Sequence, residues 1–252
     1  MKLQAHRGVA TEYPENTLPA FRAAIEQGYP VIELDPDVTK DGIVILMHDR
    51  TINRTGRRRD GSVIEKKIRV DELTLAQLQE YDFGVWFAPE FAGTTVCLLE
   101  DVLTMCRNAG VKVKIDSKYS AYTPEQKELL FALLEKYQDT AMLTCGTLDM
   151  VRDGVARFDT IAIHYDGAVT KQILDEVAAL VPRERLTVWM PYQNERTTWV
   201  KIAFADEDTA ALVRQYADLG IWLITKPEEL AFAEKIGAVI CETDGKLKPV
   251  TK

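Results

Sequence analysis

The sequence predicts an α/β fold, a (β/α)₈ TIM barrel with one small insertion. Eight short apolar runs alternate with longer segments of helical periodicity, the pattern of parallel strands joined by helices. The chain has 252 residues, a length that single α/β barrels commonly have. If one strand prediction fails, the alternative is an open sheet.

The predicted strands are, in chain order, LQAHR, PVIELDPDV, VKVKIDS, AMLTC, TIAIHY, LTVWMPY, IWLIT and AVICETD. The clearest helical segment between them is NTLPAFRAAIEQG, where Leu18, Phe21 and Ile25 recur at helical spacing and Gly28 follows as a stop. TLDMVRDGVARF, TKQILDEVAALV and DTAALVRQYADLG have similar periodicity. We therefore predict a single barrel domain over residues 1–252.

One connection departs from this rhythm. The segment between VILMHD and VKVKIDSK is much longer than an ordinary βα loop. We predict a small insertion subdomain at 50–97, with a helix of its own at TLAQLQEY.

Charge and composition restrict the class of function. The formal net charge of −8 argues against nucleic-acid binding, which requires a broad basic face. The four cysteines form no CxxC pair, so we expect buried thiols rather than disulfides or a zinc site. No apolar run approaches about 18 residues, and the start MKLQAHRG leaves no room for a signal peptide. The protein is therefore predicted to be cytoplasmic without stable membrane insertion, and its oligomeric state is not predicted.

Three acidic residues share one face of the second predicted strand. Glu33, Asp35 and Asp37 alternate with Ile32 and Leu34, so the acids should point towards the barrel axis. Carboxylates placed this close repel each other unless a cation lies among them. Oxygen donors without cysteine suit a hard divalent ion such as Mg²⁺ or Ca²⁺. A solvated acidic strand is the alternative.

A hairpin is predicted directly after these acids. The Asp41-Gly42 pair is a strong turn signal, and a turn centred there places His48 opposite Asp35, within one residue of register. The hairpin explains why no helix separates the two apolar runs. It would bring His48 back to the barrel mouth.

Two other strand ends would contribute to the same mouth. Alternation in VKVKIDSK directs Asp116 and Lys118 there, and places Lys112 and Lys114 deeper, where interior acids could pair with them. The end of the first strand, AHRG, adds a histidine and an arginine. Together these groups describe a metal-assisted anion site at the C-terminal ends of barrel strands. His164 also ends a strand, and we interpret it as a core or rim histidine.

The sequence resembles the glycerophosphodiester phosphodiesterase family. The motifs AHRG, PENTLPAF, IELDPDVTKDG and ILMHDRTINRTG carry the resemblance, and LTLAQLQEYDFGVWF, VKIDSK and IWLITKPEELAFAEKIGAVICETD extend it more weakly. It implies a TIM barrel with one divalent metal ion, Mg²⁺ or Ca²⁺, with Mn²⁺ also allowed. It further implies hydrolysis of a small-molecule glycerophosphodiester to sn-glycerol 3-phosphate and an alcohol.

The resemblance also assigns roles to individual residues. It implies acid–base catalysis by His6 and His48, phosphate binding by Arg7 and Lys118, and metal ligation by Glu33, Asp35 and Asp116.

Departures from the family pattern leave alternatives open. Asp116 is one methylene shorter than the glutamate usual in the family, which would alter the metal distance or the choice of metal. The alternative enzymes are a lysophospholipase D and a sphingomyelinase-D-like enzyme, which would need an apolar rim beside the site to contact the acyl chain. Three aromatic residues of the insertion could form this rim, or they could instead form the core of the insertion: Trp86, Phe87 and Phe91. A non-catalytic binding module is disfavoured because both catalytic histidines are present.

Overall fold

Eight parallel strands close into a barrel in the computed structural model, which describes residues 1–250. The ten strands are β1 (Lys2–His6), β2 (Val31–Leu34), β3 (Pro36–Val38), β4 (Val44–Leu46), β5 (Lys112–Ile115), β6 (Ala141–Cys145), β7 (Ala162–Tyr165), β8 (Leu186–Pro191), β9 (Asp218–Trp222) and β10 (Ile240–Thr243). Around the barrel the order is β1, β10, β9, β8, β7, β6, β5, β2, and β2 pairs again with β1. The predicted barrel is confirmed, and the open sheet is excluded.

Eight α-helices lie in this part of the chain. They are α1 (Leu18–Glu26), α2 (Leu75–Leu78), α3 (Leu99–Ala109), α4 (Pro124–Glu135), α5 (Leu148–Arg157), α6 (Lys171–Leu180), α7 (Glu207–Val213) and α8 (Pro227–Lys235). Local sequence sets several of their ends. The hydroxyls of Thr147 and Thr170 accept hydrogen bonds from the first turns of α5 and α6, and Gly110 ends α3 with φ of 69°.

Two helix predictions were too long. The predicted helix TLAQLQEY forms only the single turn α2. The predicted helix DTAALVRQYADLG ends at Val213, and β9 already begins at Asp218, three residues before the run IWLIT. A Cβ atom at Gly220 would lie 2.6 Å from the ring of Trp189, so a side chain here would clash with that ring. Packing of the sheet has overridden the helical periodicity there.

The hairpin after β2 is present, with its register shifted by one residue. β3 and β4 pair antiparallel, with Pro36 opposite Leu46. Beyond that pair, the Met47 N–H donates to the Asp35 carbonyl at 2.9 Å, so Met47 rather than His48 lies opposite Asp35. This shift is within the one residue that the prediction allowed. His48 lies just past the end of the hairpin, at the barrel mouth.

The main hydrophobic core lies between the strands and the surrounding helices. Ile32 and Leu34 on β2 are fully buried in it, as the alternation predicted. A second, smaller cluster joins Ile45 of the hairpin to residues between β4 and α3, including Ile52 and Phe83. All four cysteines are buried and free, as expected. Within residues 1–250, none of the helices has both the length and the apolar character that crossing a bilayer requires.

Candidate active site

A cavity of about 380 Å³ opens at the C-terminal ends of the barrel strands. It is lined by six of the seven residues that the sequence assigned to the site: His6, Arg7, Glu33, Asp35, His48 and Asp116. The strands β1, β2 and β5 bring most of these residues together, because each chemical group follows or ends a strand.

Three carboxylates form a cluster at one side of this cavity. Glu33, Asp35 and Asp116 each offer an oxygen, and these oxygens lie within 4.8 Å of one another. Burial and the neighbouring charge of Asp35 hold the pKa of Glu33 well above its usual range. Burial, Asp35 and Asp166 likewise raise the pKa of Asp116 to about 6. Ionising all three without a cation is therefore costly.

The donor set of this cluster fits a divalent cation. Its ligand atoms are hard carboxylate oxygens, and buried carboxylates of one sign need a compensating positive charge. Part of that charge comes from the protein, because Arg7, His48 and Lys118 outweigh burial and lower the pKa of Asp35. Glu33 and Asp116 have no comparable compensation.

A strained turn at the end of β1 places Arg7. Its φ of 55° is left-handed, which is uncommon for a residue with a side chain. The Arg7 N–H donates to Glu33 Oε2 at 3.0 Å, and the guanidinium Nε lies 3.1 Å from Asp35 Oδ2. Gly8 follows with φ of 81°, where a Cβ would lie 2.8 Å from Ala20. The turn thus ties the arginine to two of the three clustered carboxylates.

Two residues of the PENT segment hold Asp35 and Arg7 in place, and sequence reasoning assigned them no role. Asn16 Nδ2 donates to Asp35 Oδ2 at 2.7 Å, and the Asp35 N–H donates back to Asn16 Oδ1 at 3.2 Å. Glu15 Oε1 accepts from Arg7 Nη1 at 3.1 Å. Asn16 also has a positive φ of 56°. The motif could have signalled these roles, since it lies directly between β1 and α1.

His6 is paired with an aspartate that sequence reasoning missed. Its Nδ1 lies 2.6 Å from Oδ1 of Asp244, which directly follows β10. Its Nε2 lies 4.0 Å from Glu33 Oε2. Burial opposes the charged imidazole, but Glu242, Asp244 and Glu33 outweigh burial and raise the pKa of His6 to about 9. The position of Asp244 at a strand end was the signal available in the sequence.

His48 has an aspartate partner of its own. Its Nδ1 lies 2.6 Å from Asp49 Oδ1, and Arg54 Nε donates to Asp49 Oδ2 at 2.8 Å. Arg54 Nη1 also donates to Glu15 Oε2 at 2.8 Å, which links this pair to Arg7. Burial works against ionisation of Asp49, but Arg54 and His48 outweigh it and lower the Asp49 pKa to about 2.

The acid Asp37 does not join the carboxylate cluster. The strand breaks at Asp35, and Asp37 belongs to the hairpin, where its Oδ1 lies 3.5 Å from Arg50 Nη1. Its Oδ2 lies 3.4 Å from Lys118 Nζ, which also donates to the Met47 carbonyl. Lys118 lies in the 3₁₀ turn Ser117–Ala121 and is not among the residues that line the cavity.

The two deeper lysines of β5 have different surroundings. Lys114 is 5% exposed, and its Nζ lies 3.3 Å from Glu242 Oε2, so it pairs with an interior acid as predicted. Lys112 is exposed and donates to the Asp139 carbonyl instead. His164 is a core histidine, because its Nδ1 accepts a hydrogen bond from buried Trp189 at 2.9 Å and burial lowers its pKa to about 3.

An apolar wall borders the cavity on the side of β8 and β9, and it was not predicted from the sequence. Trp199, Val200, Ile202 and Trp222 line the cavity, and the Trp199 and Trp222 rings are 5.9 Å apart. Trp199 is 70% exposed. None of the aromatic residues proposed for a rim, Trp86, Phe87 and Phe91, lines the cavity; they pack edge to face against one another, and Phe91 packs against Tyr13.

The chain is similar to known proteins in sequence and in fold. Residues 6–166 match the model of the glycerophosphoryl diester phosphodiesterase family. A glycerophosphodiester phosphodiesterase from Caldanaerobacter subterraneus subsp. tengcongensis is 34% identical over 133 residues, 52% of this chain and 51% of that protein. One from Bacillus altitudinis is 34% identical over 139 residues, 54% of each. The chain spans about half the length of these curated relatives.

A solved structure matches over nearly the whole chain. It is a phosphodiesterase from Oleispira antarctica in complex with the product sn-glycerol-3-phosphate. The TM-score is 0.77 at 18% identity, over 98% of this chain and 94% of that one. At this identity the match shows that the two share a fold.

Proposed function

Because this chain belongs to the glycerophosphoryl diester phosphodiesterase family, we propose that it hydrolyses glycerophosphodiesters to sn-glycerol 3-phosphate and an alcohol. The observation that carries the proposal is one cavity lined by three clustered carboxylates, an arginine and two histidines. The product complex of the Oleispira antarctica relative, which shares this fold, supports the substrate class. A cytoplasmic location remains a prediction from the sequence.

A single divalent cation is the cofactor that the carboxylates would hold. Glu33, Asp35 and Asp116 are the proposed ligands, and Mg²⁺, Ca²⁺ or Mn²⁺ is compatible with their oxygen donors. Bound there, the cation would supply positive charge to the nonbridging phosphate oxygens as they gain charge in the transition state.

Two positively charged side chains are proposed to bind the phosphate group of the substrate. Arg7 lines the cavity, and a guanidinium can offer paired donors to two phosphate oxygens. Lys118 is the second proposed contact. To reach the substrate its ammonium would leave Asp37 and the Met47 carbonyl, which hold it in the structure.

The two histidines would move the protons. With Nδ1 of His6 paired with Asp244, its Nε2 is the nitrogen free to take the proton from the attacking oxygen of water or of the glycerol 2-hydroxyl. This role needs the neutral imidazole, which a cation beside Glu33 would favour, because Glu33 is one of the carboxylates that raise the His6 pKa. The phosphorus–oxygen bond to the alcohol then breaks. Attack by water gives sn-glycerol 3-phosphate directly, whereas attack by the 2-hydroxyl gives a cyclic phosphate that water opens in a second step. His48 would give a proton to the departing alkoxide, and an exchange of these two roles is the alternative.

The cation and its ligands can be tested together. The assay couples release of sn-glycerol 3-phosphate to a second enzyme, across a panel of headgroups. We expect EDTA to abolish activity and added Mg²⁺, Ca²⁺ or Mn²⁺ to restore it. Full activity in a verified metal-free sample would refute the carboxylate site.

A matched pair of variants completes this test. Asp116→Asn should raise the cation concentration needed for half-maximal activity by about tenfold or more, because one charged ligand is lost. Asp153→Asn is the control, since Asp153 pairs with Lys127 outside the cavity. Equal cation requirements in the two variants would remove Asp116 from the site.

A second candidate function is the cleavage of lysophospholipids. The exposed Trp199 and its apolar neighbours Val200, Ile202 and Trp222 favour it, because they could contact an acyl chain at the cavity mouth. Turnover of lysophosphatidylcholine and of glycerophosphocholine should be compared in the wild type and in Trp199→Ala. A loss confined to the lysophospholipid would support this candidate, and no turnover of it by the wild type would exclude it.

A further inference from the structure

Three ionisable side chains at the floor of the cavity have no role in the mechanism above. Lys114, Asp166 and Glu242 line the same cavity as the carboxylate cluster. They come from three parts of the barrel, since Lys114 lies on β5, Asp166 directly follows β7 and Glu242 lies on β10. We call these three residues the polar floor.

The polar floor combines charges of both signs, with Lys114 and Glu242 buried and Asp166 half-buried. Lys114 and Glu242 are each 5% exposed. The Lys114 Nζ lies 3.3 Å from Glu242 Oε2 and 4.1 Å from the ring centre of Trp189. The ammonium group therefore lies between a carboxylate and an aromatic ring, and both surroundings favour a positive charge.

This floor keeps unused hydrogen-bonding capacity. Gln4 and Lys114 both donate to Oε2 of Glu242, and Oε1 of Glu242 accepts no side-chain hydrogen bond from residues 1–250. The Asp166 carboxylate likewise receives none from that part of the chain, and burial raises its pKa. A carboxylate oxygen that lines a cavity and receives no side-chain hydrogen bond can accept one from a partner bound there.

The chemistry of that partner can be narrowed. A hydroxyl can donate to a carboxylate and accept from an ammonium group at the same time, which suits Asp166 or Glu242 beside Lys114. A second anionic group on the ligand would be repelled by the carboxylates of Asp166 and Glu242, and a cationic group would be repelled by the ammonium of Lys114. A neutral polyol avoids both conflicts.

We propose that Lys114, Asp166 and Glu242 form a subsite that recognises the vicinal hydroxyls of a polyol joined to the phosphate. This inference rests on the proposed function and deepens it. The hydroxyls could belong to the glycerol that stays on the phosphate or to a polyol that leaves, and the experiment below separates the two sources.

The test compares substrates with and without these hydroxyls. The first measurement is the ratio of kcat/KM for sn-glycero-3-phosphocholine to that for n-propyl phosphocholine. In the wild type we expect a ratio of about 100 or more, because a site built around hydroxyls discriminates strongly against their loss. Loss of a nucleophilic 2-hydroxyl would raise the same ratio, so the subsite is tested by the change of the ratio in Asp166→Asn. Asp166→Asn should lower that ratio at least about tenfold, the effect of losing one hydrogen bond to a charged group. Asp166→Ala is the second variant if the first does not fold.

A control and a third substrate locate the subsite. Asp153→Asn, at the surface, should leave the ratio unchanged. If Asp166→Asn affects glycerophosphoglycerol and glycerophosphocholine alike, the floor holds the retained glycerol. A larger loss with glycerophosphoglycerol assigns it to the leaving polyol. A wild-type ratio near one, or a ratio that Asp166→Asn does not change, overturns the proposal.

An equilibrium measurement separates this inference from the proposed function. Calorimetry with Mg²⁺ present should show sn-glycerol 3-phosphate binding about tenfold or more tighter than n-propyl phosphate, and Asp166→Asn should reduce that preference. A wild type that hydrolyses no diester but keeps this preference overturns the proposed function alone. Equal affinities for the two phosphates overturn the polyol subsite, whatever the turnover.

Discussion

His6 and His48 each lie 2.6 Å from an aspartate, but the two pairs occupy very different surroundings. The His6 side chain is 16% exposed and its partner Asp244 only 4%. The His48 side chain is 41% exposed and Asp49 29%. The same contact therefore has different consequences, because water screens charges at the exposed pair far more than at the buried one.

The buried pair is built by the barrel. His6 ends β1, Asp244 follows β10, and these strands are neighbours in the closed sheet. Asp244 Oδ2 also lies 2.9 Å from Arg196 Nη1. The position of His6 thus depends on the closure of the barrel. We expect the orientation of its imidazole to depend on the Asp244 carboxylate, which water cannot replace in this buried site.

The exposed pair is built by adjacent residues of one loop. Asp49 is the next residue after His48, and Arg54 holds it from five residues further on. Solvent can replace such a partner with little loss. We therefore expect His48 to matter for its own proton and Asp49 to matter much less.

The largest expected effects come from removing the imidazoles themselves. His48→Ala should slow hydrolysis of choline or ethanolamine esters on the order of 10²–10⁴-fold, the usual size of general acid catalysis. It should spare much of the rate on a p-nitrophenyl ester, whose leaving group needs no proton. His6→Ala should slow both substrates about equally. Equal losses on both esters for His48→Ala would reject its role as the acid.

Removing the aspartates should separate the two pairs most directly. Asp244→Asn should lower kcat on the order of 10³-fold, because the buried imidazole loses the group that fixes its tautomer. Asp49→Asn should lower kcat about tenfold or less, because water reaches this partly exposed pair and can replace the lost contact. The measurement is kcat for glycerophosphocholine in both variants, with circular dichroism as a check on folding. Similar losses of kcat in the two variants would show that burial does not make the His6–Asp244 pair differ from the His48–Asp49 pair.

Arg7→Lys should have an intermediate effect. Lysine keeps the positive charge but lacks the planar guanidinium group. We therefore expect kcat/KM to fall about tenfold or more, from the loss of one charge-assisted hydrogen bond worth roughly 1.5–3 kcal/mol. The variant should be compared with Arg54→Lys, which alters the network beside His48 without lining the cavity. Unchanged kinetics in Arg7→Lys would mean that Arg7 serves the structure alone.

The smallest expected effect concerns pH and stability. The folded-state pKa of His6, about 9, lies above its ordinary value of 6.5. Charged His6 therefore stabilises the cation-free protein fully below about pH 6.5, and this contribution disappears as the pH rises through 9. Urea unfolding of the EDTA-treated protein between these limits should show the decline, and His6→Asn should flatten it. Parallel profiles for the two proteins would contradict the buried ion pair.

Local sequence determined much of the fold and part of the site. The eight barrel strands correspond to apolar runs that alternate with helical segments along the sequence. The Asp41-Gly42 turn predicted the register of the hairpin to within one residue. Glu33 and Asp35 were predictable as inward-facing acids because the two-residue repeat of a strand fixes which side chains share a face. These inferences depend only on residues close together in the chain.

Tertiary structure decided the rest, because it depends on contacts between distant residues. Asp37 leaves the cluster since the hairpin turns it towards Arg50 and Lys118. Asp244 reaches His6 only when the last strand closes the barrel against the first, across 238 positions of sequence. The wall around Trp199 likewise depends on where a long loop lies over the mouth. Periodicity specifies a residue's own face and not its partner, so closure of the barrel had to supply these pairings.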